Sequence, residues 1–201
     1  MIALVDYGIG NLHSVEKALQ KVGAEVVVSG KPEVILSADK VVLPGVGAFG
    51  DGIRTLEAYH LVEPLRELCA RGTPLLGICL GMQLLFESSE ELGLYKGLGL
   101  LPGRVCLFPD SDLKVPQTGW NQLEFTRSNP LIAGLEKGCY AYFNHSYYCA
   151  AAREQDVLAY TEYGIRYSSM VAKDNIYGAQ FHPEKSQRVG LKILQNFVEA
   201  C

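Results

Sequence analysis

Short apolar runs that alternate with helix-spaced stretches, each run ending in a turn, constrain this chain most. Residues 2–5 read as a strand, followed by a Gly-rich turn and a helix over about 13–22. Val15, Ala18, Leu19 and Val22 keep the three-four spacing of one helical face. Residues 25–28 predict a second strand and 40–43 a third, stopped by Pro44-Gly45. A helical stretch runs to about Ala70, with His60 expected on its surface, then a fourth strand over 74–78 and a helix over 80–87. Strands joined through helices imply a parallel sheet covered on both faces.

The second half differs. From 104 to 177 short runs such as 140–148, 157–162 and 169–173 are separated by turn residues, with no helical pattern between them. They predict strands of a mixed or antiparallel sheet. A buried strand returns over 176–181. A helix over 186–200 closes the chain, with Val189, Ile193, Leu194, Phe197 and Val198 inward. The expected fold is therefore α/β: a mixed, mostly parallel central sheet with helices on both faces, plus a smaller antiparallel sheet. We expect residues 1–201 to form a single domain, a length at which ~70% of the unfolded surface can be buried.

Composition narrows the function. A net charge of −4 carries no basic stripe for nucleic acid and no attraction to an anionic membrane. The apolar start ends at Asp6 with no Lys or Arg before it, unlike a signal peptide. No apolar stretch reaches the ~18 residues of a membrane span. The six cysteines form no C-x-x-C, so free thiols in a reducing cytoplasm are expected, and no metal-ligand cluster is legible among them and the four histidines.

Functional residues of such sheets sit at the carboxyl ends of strands. After the first strand, Gly8-Ile9-Gly10 begins a dinucleotide fingerprint, but His13 stands where its third glycine belongs. A tight strand-to-helix turn is the better reading. After the fourth strand, Gly77-x-Cys79-x-Gly81 has the form of a nucleophile elbow carrying cysteine. Glycines flank such an elbow because side chains there would clash, and the helix that starts there favours a thiolate. A small buried core cysteine is the plainer alternative until a partner is found. His182 supplies one, at the end of the last strand with Glu184 two residues on, in reach to hold the imidazole in one tautomer. Pro44-Gly45-Val46-Gly47 is either a simple turn or an oxyanion hole, with a Val46 or Gly47 amide opposite that of Leu80. Gln83 lies one helical turn beyond Cys79 and so faces the same pocket. His13, His60 and His145 gain no role from spacing.

These segments, with Asp6-Tyr7-Gly8-Ile9-Gly10-Asn11-Leu12, Gly119-Trp120-Asn121 and Tyr142-Phe143-Asn144-His145-Ser146-Tyr147, resemble the class I (triad) glutamine amidotransferases. Within them the likeness is to the glutaminase subunits of imidazole glycerol phosphate synthases, over essentially the whole chain. The resemblance implies a flavodoxin-like fold and a Cys79-His182-Glu184 triad acting on L-glutamine. It implies an oxyanion hole from Val46, Gly47 and Leu80, and glutamine held by Gly47, Gln83, Ser146 and Tyr147. It also implies ammonia passing to a β/α-barrel synthase (cyclase) subunit in a heterodimer, with Asn11, Trp120, Tyr142 and Lys185 at the interface. The products expected of that complex are imidazole glycerol phosphate and an aminoimidazole carboxamide ribotide, in histidine biosynthesis. No cofactor is implied.

Overall fold

A computed structural model of the chain describes residues 1–110 and 112–201. The first part alternates as its pattern predicts: β1 (Ile2–Val5), α1 (Leu12–Lys21), β2 (Val26–Ser29), α2 (Pro32–Leu36), β3 (Lys40–Leu43), α3 (Phe49–Ala58), α4 (Val62–Ala70), β4 (Leu75–Ile78) and α5 (Leu80–Leu84). The strand-rich part adds β5 (Phe86–Ser89), β6 (Tyr95–Lys96), β7 (Leu101–Leu107), β8 (Gln117–Gln122), β9 (Glu124–Phe125) and β10 (Tyr140–His145). Then come β11 (Tyr147–Ala151), β12 (Val157–Glu162), β13 (Arg166–Lys173), β14 (Ile176–Ala179) and the closing helix α6 (Gln187–Ala200).

Among the described residues one large sheet runs β2-β1-β3-β4-β14-β13-β11-β7-β5-β6, with β12 and β9 branching from β13. The segment from β2 to β14 is parallel throughout. From β13 onward the pairings are mostly antiparallel, and β8 and β10 form a separate antiparallel pair. The expected mixed, mostly parallel sheet with a smaller antiparallel one is what the chain forms.

Side-chain alternation along the central strands sorts the core into two layers. Ile2, Leu4, Val42, Leu76 and Ile78 face α1 and α6, meeting Val15, Leu19, Ile193, Leu194 and Phe197. Ala3, Val5, Val41, Leu43 and Leu75 face the other way, onto Ile35, Ile53, Leu56, Leu65 and Leu68 of α2, α3 and α4. Of the residues expected inward on α6, Ile193, Leu194 and Phe197 are buried, while Val189 and Val198 are half-buried. Each fully buried large apolar side chain contributes roughly 2 kcal/mol, so these two layers hold the sheet. The Lys40 ammonium donates to the carbonyls of Phe197 and Val198 at 2.8 and 2.7 Å, where the C-terminal end of α6 favours a cation.

The structure corrects four local expectations. The helical stretch before Ala70 is two helices, broken around His60, which is exposed at φ 57° in that break rather than on a helix surface. Pro64 in the first turn of α4 marks the restart, since proline fits only there. The helix expected over 80–87 ends at Leu84, because the 97–101 segment captures its carbonyls. Leu98 N–H reaches Leu84 O at 2.8 Å and Leu100 N–H reaches Leu85 O at 2.9 Å, so Phe86 and Glu87 become strand. The run over 140–148 breaks at Ser146 into β10 and β11, which belong to different sheets. Helix α2, opened by Pro32, has no counterpart in the sequence reading.

Strand connections leave β1 in opposite directions, so the crevice between the carboxyl ends of β1 and β3 is the topological switch point. The loops after β1, β3, β4 and β14 all open on that edge.

The Asn196 side chain ties α6 to the segment after β9, donating to the carbonyls of Leu131 and Ala133 at 3.0 and 2.9 Å. Asn196→Ala removes the donor to the buried Leu131 carbonyl and to the partly buried Ala133 carbonyl and should cost about 2 kcal/mol. For a domain of this size that is a thermal midpoint lower by roughly 5 °C, read by circular dichroism.

Candidate active site

Cys79 follows β4 at φ 54°, ψ −112°, in the region that favours glycine. Such a conformation costs on the order of 1–3 kcal/mol and persists only where its surroundings hold it. Here its N–H donates to Ala179 O at 2.8 Å, tying the elbow to the neighbouring strand. The flanking glycines are required by contact. A Cβ on Gly77 would lie 2.6 Å from Gly81 O, and one on Gly81 would overlap the Leu43 carbonyl oxygen. The loop after β3 presses on the same place: a Cβ on Gly45 would lie 2.8 Å from Leu80 Cβ and 2.7 Å from the Tyr7 hydroxyl. That hydroxyl donates to Pro44 O at 2.8 Å. Burial, with Cys79 near it, holds the Tyr7 phenol protonated far above its usual range, so it remains a donor.

His182 emerges from β14, the strand beside β4; Gly178 pairs with Gly77 and Ala179 with Ile78. Its Nδ1 lies 2.9 Å from Glu184 Oε1, both side chains nearly fully buried. Its backbone N–H donates to Tyr142 O at 2.9 Å, and its carbonyl accepts from Ser186 Oγ at 2.7 Å. Burial opposes a charge on this imidazole, but hydrogen bonds and attraction from Cys79 and Glu184 outweigh it and raise the pKa to about 10. Nδ1–H therefore points at the carboxylate, and the other face of the ring meets the sulfur. Glu184 Oε2 is buried with no hydrogen-bond partner among the described residues.

Val46, Gly47, Leu80, Gln83, Ser146, Tyr147 and Lys185 line one cleft of about 430 Å³ with Cys79 and His182, a volume that suits a small metabolite. Leu80 is the first residue of α5, so its N–H has no intrahelical partner. Gly47, at φ 93°, has open space around it, and Val46 is exposed, whereas Gly45 is hemmed in. Gln83 Nε2 donates to Tyr147 O at 3.0 Å and to Gln180 Oε1 at 3.2 Å. The remaining expected site residues lie off the cleft lining. Asn11 caps α1 through a 3.3 Å bond from Ser14 N–H. Trp120 is exposed on β8 and edges onto Tyr142 with ring centres 6.1 Å apart.

Three residues gained no role from the sequence. Glu91 lines the cleft; its Oε2 accepts from Phe49 N–H at 2.7 Å, and burial raises its pKa. Nothing in its spacing sets it apart from Glu87 and Glu90. Gln180 is fully buried beside Gln83. His145 closes the corner after β10, with Nδ1 2.8 Å from Tyr147 O. Among the described residues no group of three or more His, Cys, Asp or Glu is placed to hold a metal ion.

The arrangement joins a strained thiol, an imidazole oriented by a carboxylate, and backbone amides over one small cleft. That set can form and break an acyl-thioester. A family model, glutamine amidotransferase class-I, matches residues 3–201. The chain belongs to the class I glutamine amidotransferases. Curated relatives named imidazole glycerol phosphate synthase subunit HisH match along nearly their full length. The protein from Geobacter sulfurreducens is 51% identical, covering 98% of each chain. That from Methanosarcina mazei is 51% identical over 100% of this chain and 98% of its own, and that from Bacillus subtilis 50% over 99% and 96%. Among solved structures, a glutamine amidotransferase superposes with a TM-score of 0.77 at 20% identity, over 98% of this chain and 97% of that one. PurLQS from Thermotoga maritima gives 0.73 at 19% identity, over 98% and 96%. At such identities the likeness speaks to the fold alone.

This amidotransferase site holds two buried histidines with opposite proton affinities. Burial, opposed by the Tyr147 carbonyl and aided by His182, depresses His145 to about 4. A depressed histidine lets the unfolded chain bind a proton that the fold refuses. Its contribution is present above pH 6.5 and lost as pH falls toward 4, on the order of 3 kcal/mol. His182, raised, contributes fully below 6.5 and loses its contribution as pH rises through about 10. Urea unfolding of His145→Gln should therefore show a flatter stability profile than wild type between pH 6.5 and 4, and the same profile above 7.

Proposed function

We propose that this chain is the glutaminase subunit of an imidazole glycerol phosphate synthase, hydrolysing glutamine to glutamate and ammonia. The observation that carries the reading is the joining of Cys79, His182 and Glu184 over one cleft, in a chain that matches HisH subunits along its length. Cys79 sulfur attacks the side-chain carbonyl carbon of glutamine. The oxyanion that forms is met by the Leu80 N–H and by an amide of the 46–47 segment. The C–N bond breaks, and His182 gives its proton to the departing ammonia. It then takes a proton from water, which hydrolyses the thioester to glutamate and restores the thiol. Glu184 keeps the ring in the tautomer that faces the sulfur and balances its charge.

The amino-acid end of glutamine falls to Ser146, Tyr147, Gly47 and Glu91, with Gln83 beside the reacting amide. Glu91 is the carboxylate suited to pair with the α-ammonium. Ammonia passes to a β/α-barrel synthase subunit, docked over Trp120, Tyr142, Lys185 and Asn11, where it enters imidazole glycerol phosphate. We place this work in the cytoplasm, as one domain spanning 1–201; no helix among the described residues is long and apolar enough to cross a membrane. The open space around Gly47 lets the Val46 peptide turn, and an amide turned away removes one oxyanion donor. Such a loss typically lowers turnover ~10²-fold, which ties glutamine use to an occupied partner.

Cys79→Ala should abolish glutamate release from the complex while ammonium salts still support imidazole glycerol phosphate formation. The wild-type chain alone should turn over at least ~10²-fold slower than the loaded complex. A complex that released no glutamate would leave a binding scaffold as the reading. Glu91→Gln should raise KM for glutamine by roughly tenfold to a hundredfold, as expected for a lost bond to a charged group, with kcat changed far less.

A further inference from the structure

Gln180 is the last polar side chain before His182, and it is fully buried. Its backbone N–H is spent on Ser169 O at 2.9 Å, completing the sheet. Its side chain does something the sheet does not need. The polarity of the surrounding amides can be followed from one fixed point, the Tyr147 carbonyl, which can only accept. Gln83 must therefore present Nε2 to it, at 3.0 Å. The second hydrogen of the same Nε2 faces Gln180 at 3.2 Å, so the Gln180 atom there is its oxygen. The Cys149 thiol donates to that oxygen as well, at 3.8 Å. Gln180 then has one orientation left, with Nε2 toward the Cys79 sulfur at 4.0 Å. Both hydrogens of Gln83 are committed to the protein, which leaves its Oε1 as the group offered to a ligand. An acceptor at that place meets the amide N–H of glutamine and repels the carboxylate of glutamate.

We propose that Gln180 is a positioning residue: it locks Gln83 with its oxygen toward the substrate and holds an N–H on the sulfur of Cys79. The proposal rests on the glutaminase reading for its substrate, but its effect on the thiol stands apart from turnover. Among the described residues, His182, the Tyr7 phenol and the Cys149 thiol are titratable groups that interact with Cys79. Of these, Cys149 alone touches Gln180 in the contacts described here, and Gln180→Glu keeps its acceptor, so an effect shared by both variants does not come from Cys149.

The test is the rate of Cys79 carboxymethylation by iodoacetamide across pH, on the full chain, located by peptide mapping. Gln180→Glu keeps an acceptor for Gln83 and Cys149 but replaces the N–H on sulfur by a negative oxygen. Gln180→Met keeps the volume and removes both functions. Each should react at Cys79 about tenfold or more slowly at neutral pH, the range that a hydrogen bond to a charged group is worth, with the midpoint of the profile moved to higher pH. In the loaded complex Gln180→Met should also be inhibited by glutamate at lower concentration, because Gln83 is free to turn. A folded variant with the wild-type alkylation profile overturns the proposal, whatever its turnover. Wild type that fails to release glutamate, yet shows the predicted shifts, would overturn the substrate and keep the positioning role. If neither variant folds, the side-chain amide signal of Gln180 in ¹⁵N-labelled wild type decides. It should move on alkylation of Cys79, and an unmoved signal refutes the contact.

Discussion

The structure turns on the close approach of α5 to the end of β3. The Cα of Gly81 sits so near the Leu43 carbonyl that no side chain fits between them. This contact brings the loop after β3 over the start of α5, and the same approach requires Gly45 and Gly77. The strain of Cys79 is the price of that geometry, about 1–3 kcal/mol. It is offset locally by Leu75, Leu76, Ile78, Leu80, Met82 and Leu84, all buried around the elbow and worth roughly 2 kcal/mol each. A local conformation that would not survive in a peptide is thus stable because two helix-covered layers hold both sides of it.

The two buried histidines show how far environment rather than residue type decides chemistry. Both are desolvated, and desolvation alone disfavours the charged ring. His182 meets a carboxylate and a thiol, which make a proton welcome. His145 meets a backbone carbonyl and the Tyr167 hydroxyl, 3.3 Å from Nε2, neither of which can repay a charge. One is suited to move a proton, the other to stay neutral and hold a chain corner still. The Tyr147 carbonyl links His145 to Gln83, since it accepts from both.

Much of this was legible in the residues. Helical spacing in 13–22 and 186–200 and the β-rich runs before each glycine turn correspond to the parallel half of the sheet. Glycines two residues either side of Cys79, and a carboxylate two residues past His182, are local patterns with local causes. What was not legible depends on distant partners. The end of α5 at Leu84 is imposed by carbonyl capture from the 97–101 segment, and an apolar run that short carries no period to reveal it. The break at Ser146 hides inside a continuous β-rich run, because the two halves join different sheets. Glu91 sits among other glutamates, and Gln180 within a strand-like run, and neither carries a spacing that separates it from a solvated or structural residue.

The place of β14 has a consequence for how the protein is made. This four-residue strand, nearly last in sequence, lies between β4 and β13 in the middle of the sheet. Until residues 176–179 arrive, β4 and β13 have no strand between them, and their facing edges lie open. The Ala179 carbonyl that anchors the Cys79 amide is missing for the same interval, as is His182. Such long-range pairing is slow to form and exposes strand edges while it waits. A ribosome-bound chain therefore carries the Cys79 thiol without the imidazole that neighbours it in the folded protein. The pair is assembled late, in the same step that closes the sheet.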